Sequence, residues 1–186
     1  MNGLKWAAAA VALIALGSVA EAEDSETWGS VRGWDIMIDA SLGNGCFIYT
    51  KYRDGTILRL GFDKSAGNSY ILVGHQDWDK IEKDGSYDIT LRMDRAAPWH
   101  ATASGVVLGS LPGLIAHTDD TNFLVDFAKK RNLTVEYRGD TIAKLSLSGT
   151  FAALTEMLNC QKAMNGRGGG SVSSDDDGGG GTARKD

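Results

Sequence analysis

The chain has 186 residues, 42% hydrophobic and 23% charged, with a formal net charge of −5. Lysines and arginines are scattered among carboxylates, and Lys129-Lys130-Arg131 is the only basic run. The basic stripe expected of a nucleic-acid-binding chain is therefore missing, and that class of partner is set aside.

Lys5 supplies a short positive start, the following AAAAVALIALGSVA is apolar and uncharged, and Ala20-Glu21-Ala22 offers small residues for a signal peptidase. The run is shorter than the roughly 20 residues a spanning helix needs, so residues 1–22 read as a cleaved secretory signal. No stable membrane span is expected after cleavage, and the expected location is the periplasm or the exterior. No cysteine follows the cleavage site, which argues against lipoprotein processing.

Residues 23–164 form one domain's worth of chain. Strands are predicted over 31–39, 46–53, 56–63, 69–74, 86–94, 101–108, 133–138 and 141–147, where apolar and polar residues alternate with a period of two. Asp54-Gly55 and Asp84-Gly85 are hairpin signals, because a type I′ turn needs positive φ at both central residues, and Gly139-Asp140 repeats the theme. In LGNGC (Leu42–Cys46), Gly43 and Gly45 are expected to turn the chain with positive φ. No helix follows them, so a phosphate cradle is not indicated.

Two helices come late. TDDTNFLVDFAKKRN takes Asp120 or Thr121 as cap, sets Phe123, Leu124, Phe127 and Ala128 on one stripe, closes on Lys129–Arg131 and stops at Asn132. SGTFAALTEMLNCQKAM takes Ser148 or Thr150 as cap and repeats Phe151, Leu154, Thr155 and Leu158 at helical spacing until Asn165-Gly166. A third, short helix is expected over Asp77–Lys83. Residues 165–186 contain no apolar cluster and read as a disordered Gly/Ser/Asp tail. The class is α+β and β-dominated: an antiparallel sheet, sandwich or barrel with two helices late in the chain.

Cys46 and Cys160 are an even pair in an exported chain, which favours a disulfide. A nucleophilic or metal-binding thiolate would want a nearby His or a second thiol in CxxC spacing, and neither is present in sequence. His75 with Asp77 and His117 with Asp119 are candidates for a two-histidine, two-carboxylate metal site, if they converge. Asp63, Asp77, Asp79, Asp94 and Glu136 offer carboxylates for glycoside chemistry, but no spacing selects a pair. There is no G-x-S-x-G elbow, no H-E-x-x-H and no phosphate-binding glycine loop; no catalytic residue and no cofactor are assigned. Arg138-Gly139-Asp140 carries the integrin-attachment tripeptide, and Gly-Asp is also ordinary turn chemistry. Trp28, Trp34, Trp78, Trp99, Tyr52, Tyr70 and Tyr87 could line a groove, though packing is the usual duty of large aromatics. Within APWHATA, Trp99 and His100 are the first candidates for an exposed ligand contact.

SLGNGCF, GTILRLGFD, the central Pro98-Trp99, NFLVDFA and LSLSGTFAALTEMLNCQ occur in an order that resembles a group of small uncharacterised secreted proteins of alphaproteobacteria. The likeness covers residues 34–162. A looser likeness, in class alone, is to the invasion-associated locus B proteins. The resemblance implies a periplasmic location and a Cys46–Cys160 disulfide, and it carries no chemistry. The expected function is a non-enzymatic module that binds an envelope component or a protein partner. The alternatives are an envelope hydrolase using His75, Asp77 and His117, possibly with metal, and an inhibitor or immunity protein.

Overall fold

The computed structural model describes residues 25–167. The expected signal over 1–22 and all but the first three residues of the expected tail lie outside the described residues. Ten strands make one antiparallel sheet: β1 Ser25–Val31, β2 Trp34–Asp39, β3 Gly45–Lys51, β4 Ile57–Asp63, β5 Asn68–Gly74, β6 Ser86–Met93, β7 Trp99–Leu108, β8 Leu111–Thr118, β9 Asn132–Tyr137 and β10 Asp140–Ser146. Two helices complete it, α1 Thr121–Ala128 and α2 Thr150–Arg167. This is the expected α+β, β-dominated class, realised as an open, sandwich-like sheet.

The strand order is β1-β2-β3-β4-β5-β8-β7-β6-β9-β10. The first five strands are a meander. The chain then crosses three strand spacings, about 14 Å, from β5 to β6 and returns through β7 and β8 to pair with β5. At roughly 20° of twist per neighbour, nine steps turn the far edge through about 180°. That brings the end of β10 back to the early strands: the Tyr52 hydroxyl donates to Ser146 O at 2.8 Å, and Trp34 Nε1 donates to Ser148 O at 2.9 Å. One face of the sheet thus wraps a single core containing Trp34, Ile36, Ile48, Leu60, Leu91, Val135 and Leu145 with Phe127 of α1 and Met157 of α2. On the other face Phe47, Ile57, Tyr70 and Leu72 form a smaller cluster. The Arg59 guanidinium lies 3.6 Å from the Phe47 ring centre and pairs with Asp39.

Several local expectations need correction. β1 and β8 lie outside the expected strands. The β1–β2 turn is Arg32-Gly33, with φ of 50° and 81°, and lacks the usual Asn-Gly or Asp-Gly signal. Its twin at β9–β10 is Arg138-Gly139, with φ of 52° and 89°; Asp140 already pairs with Tyr137. At Asp54-Gly55 only the glycine has positive φ, and Tyr52 N–H reaches Thr56 O, so the turn is wider than type I′. Asp84-Gly85 closes no hairpin, because β5 and β6 are not neighbours. The helix expected over Asp77–Lys83 is a series of turns. Its exit is held by cross-strand bonds instead: Asp84 N–H donates to Gly105 O and Gly105 N–H to Gly85 O, both at 2.8 Å. This crossing requires Gly105, since a Cβ there would stand 2.0 Å from Glu82 O.

In LGNGC the positive φ values belong to Gly43 (68°) and Asn44 (60°) rather than to both glycines. Gly45 is needed for space: an added Cβ would lie 1.9 Å from Phe62 O.

Candidate functional site

The site follows from how α2 is rotated. Its repeat of Phe151, Leu154, Thr155 and Leu158 reads as a core stripe, yet of these only Leu154 is buried. The core stripe is Ala153, Leu154, Met157, Cys160 and Gln161. Two anchors select it. Cys46 and Cys160 are disulfide-bonded with Cα atoms 6.1 Å apart, and Gln161 Oε1 accepts the Cys46 N–H at 2.8 Å in a buried setting. At 100° per residue these anchors swing Phe151, Thr155, Leu158 and Lys162 to the outer side. Phe151 is 67% exposed and Leu158 55%, large values for such side chains. Asn165-Gly166 does not stop the helix, which runs on to Arg167. At its start Thr150 already belongs to the helix and turns its hydroxyl back onto Leu147 O, while Gly149 O accepts the Ala153 N–H at 3.1 Å, so the chain enters the helix through Gly149.

α1 supplies the facing wall. Asp120 is its cap, accepting from Asn122 N–H at 2.8 Å. Phe123 and Phe127 enter the core, while Leu124, Val125 and Ala128 turn toward α2. The helix stops at Ala128, earlier than expected, with Lys129 as C-cap, so Lys130 and Arg131 lie in the connection to β9. Between the helices runs an open groove of about 320 Å³. Leu124, Val125, Phe151, Leu154, Met157 and Leu158 make it apolar, and Phe62 and Ser69 of the sheet also border it. Among the described residues Lys129 is the only charged one on its lining, and no carboxylate joins it. Ala128, Lys129 and Phe151 also border an adjoining cleft that includes Lys130, Arg131 and Ser148.

A second surface cleft, about 650 Å³, lies on the β5–β6 connection around Trp78, Tyr87, Tyr137 and Arg138. Its aromatics serve the connection itself. The Tyr87 hydroxyl accepts from Glu82 N–H at 2.8 Å, Tyr87 packs edge-on against Tyr137 at 5.6 Å, and Arg138 lies over Tyr137 at 5.0 Å.

The residues singled out from sequence do not assemble into one site. Trp99 and His100 are consecutive on β7 and so point to opposite faces. Trp99 stacks on Phe123, ring centres 4.5 Å apart, while His100 is exposed and sits 3.1 Å from Thr90 Oγ1. His117 pairs with Tyr70 across β5–β8, and His75 lies five residues beyond Tyr70, about 17 Å along the strand direction. Both His75 nitrogens are engaged locally: Nε2 donates to Asp54 O at 2.8 Å, and Nδ1 accepts from Asp77 N–H at 3.2 Å. His117 Nδ1 is 3.1 Å from Asn68 Oδ1, and Asp119 is exposed beside the α1 cap. Among the described residues no three His, Cys, Asp or Glu side chains gather where a metal could bind.

Of the other aromatics, Trp34 and Tyr70 are buried, and Trp28 Nε1 donates to Glu156 on α2 at 3.3 Å. The groove itself was missed because its walls look like core. The signal that could have found it is Ala153, Met157 and Cys160 at i, i+4 and i+7, a stripe that includes the cysteine. No described helix is long and apolar enough to cross a membrane. Comparison of the chain with family models, with curated proteins and with solved structures finds no match in any of the three.

Proposed function

We propose that the protein is an exported, periplasmic binding module without catalytic activity, and that it holds an apolar envelope component or partner in the α1–α2 groove. The observation that carries this reading is the pair Phe151 and Leu158, two large apolar side chains displayed beside Val125 over an apolar floor. Contiguous apolar surface bordered by polar residues is the usual mark of a binding face. The volume falls within the ~300–1,000 Å³ of small-molecule sites. The disulfide fits an oxidising compartment. An envelope hydrolase built on His75, Asp77 and His117 draws no support from the geometry, because His75 and Asp77 are neighbours at 3.7 Å but His117 lies far along the sheet from both. An inhibitor-type protein would reveal itself by capture of one tight protein partner.

The test is co-sedimentation with envelope fractions. The protein should bind saturably, and Leu158→Asp, at a position too exposed to upset folding, should lose most of that binding. Equal sedimentation of the two proteins would sink the reading.

A further inference from the structure

We infer that the ligand of the α1–α2 groove is a single-chain anionic amphiphile, a long-chain carboxylate, with its chain along the groove and its head group at Lys129. The inference rests on the reading of the groove as the binding face. Three observations select this chemistry. The lining is apolar along its length and contains no carboxylate that would repel an acid; Asp126, the nearest in sequence, is not part of it. The charge is placed at one junction: Lys129 borders both the groove and the adjoining cleft, where Lys130, Arg131 and Ser148 follow. These three cations make no ion pair among the described residues. Asp94 shares a surface cleft with Lys130 and Arg131 and feels the Lys130 charge, but its oxygens accept the backbone N–H groups of Arg131 and Asn132, each at 3.0 Å, and Lys129 is not in that cleft.

The shape decides between a lipid surface and a single chain. A bilayer meets a protein through a protruding apolar face. Here Leu154 and Met157 are buried at the floor while Val125, Phe151 and Leu158 rise at the sides, a trough that surrounds one chain. A cation at one end of such a trough complements an acid head group.

The experiment is calorimetric titration of the purified protein with octanoate, decanoate and dodecanoate, each below its micelle-forming concentration. Dodecyltrimethylammonium, a chain of the same length with a cationic head, is the control. Affinity should rise about fourfold per added methylene buried. The cationic amphiphile should bind at least tenfold more weakly than dodecanoate. Lys129→Glu should lower dodecanoate affinity about tenfold or more, and Leu158→Asp should abolish saturable binding, both with unchanged circular dichroism. Equal binding of the two head groups, or an indifferent Lys129→Glu, overturns the assignment of charge and leaves the groove standing. No saturable binding of any chain, while Leu158→Asp still loses envelope binding, overturns the ligand class alone. Binding only to phosphatidylglycerol vesicles replaces the single chain with a membrane surface and also overturns it. A Leu158→Asp protein that behaves like the parent in every assay removes the inference and the reading beneath it together.

Discussion

Asp39 ends β2 with 6% of its surface exposed, and its neighbours decide what a buried carboxylate costs there. Burial disfavours its charged form. The Ser41 hydroxyl, the Arg59 guanidinium and the Leu42 N–H outweigh that and hold its pKa below the usual carboxylate value. Arg59 is fixed in turn by the Phe47 ring beneath it and by the Tyr70 hydroxyl at its Nε. A carboxyl with a depressed folded pKa contributes stability that is complete above its unfolded pKa, near 4, and is lost as pH falls through the folded value. Acid should therefore weaken the protein progressively below about pH 4. Asp39→Ala should cost about 3 kcal/mol at neutral pH, because the largely enclosed Arg59 guanidinium loses its carboxylate partner and keeps only the Tyr70 hydroxyl. It should also flatten the acid limb of a plot of urea-unfolding free energy against pH. An unchanged slope in the variant would mean that other carboxylates carry the acid sensitivity.

At the scale of elements, α2 separates what a helix repeat predicts from what packing selects. Phe151, Leu154, Thr155 and Leu158 and the set Ala153, Met157, Cys160 both obey helical spacing, and the first is the more hydrophobic. The disulfide and the Gln161 bond choose the second. Met157→Ala should accordingly destabilise by about 2–4 kcal/mol, since Met157 is wholly buried. Phe151→Ala, despite removing a larger side chain, should stay within about 1 kcal/mol. Guanidinium unfolding of the two variants decides it; a Phe151 cost as large as that of Met157 would place the groove wall in the core. The same competition explains how far the sequence could be read. Alternation in a half-buried strand is a local signal, so β3, β4, β6 and the β9–β10 hairpin were legible near their true positions. β1 was not, because its SETWGS run carries little apolar alternation and its turn is Arg-Gly. β8 begins Leu111-Pro112-Gly113, residues that read as a turn, and its place beside β5 depends on partners more than 30 residues away. The groove was hidden for a related reason: a helix pattern gives a face but not which neighbour claims it.

Across the whole molecule, the sheet and α2 are joined by few covalent or buried polar links, and the staple between them concentrates at Cys46. Nine antiparallel pairings hold the ten strands without any help from α2. The helix is fastened at its middle by the Cys46–Cys160 bond, beside it by Gln161 on the same peptide, and toward its start by Glu156 on Trp28. Closing a loop of 114 residues restricts the unfolded chain by about 4–5 kcal/mol in the chain-entropy account. The double variant Cys46→Ala with Cys160→Ala should thus lose about 3–5 kcal/mol of global stability. The effect should also be local. Free of the bond, the segment of α2 from Leu158 onward depends on Gln161 and the partly buried Met164, and its amides should open by sub-global unfolding well below the free energy of the sheet. Hydrogen exchange on the double variant should therefore show residues 158–165 losing protection first, with β4, β5 and β8 still protected. Because the groove takes Leu158 from that segment, dodecanoate binding should fall with it while the strands stay folded. Simultaneous loss of protection in β4, β5 and β8 would show instead that sheet and helix form one cooperative unit. Alkylation of both cysteines in the purified protein without reductant would remove the staple from the argument altogether.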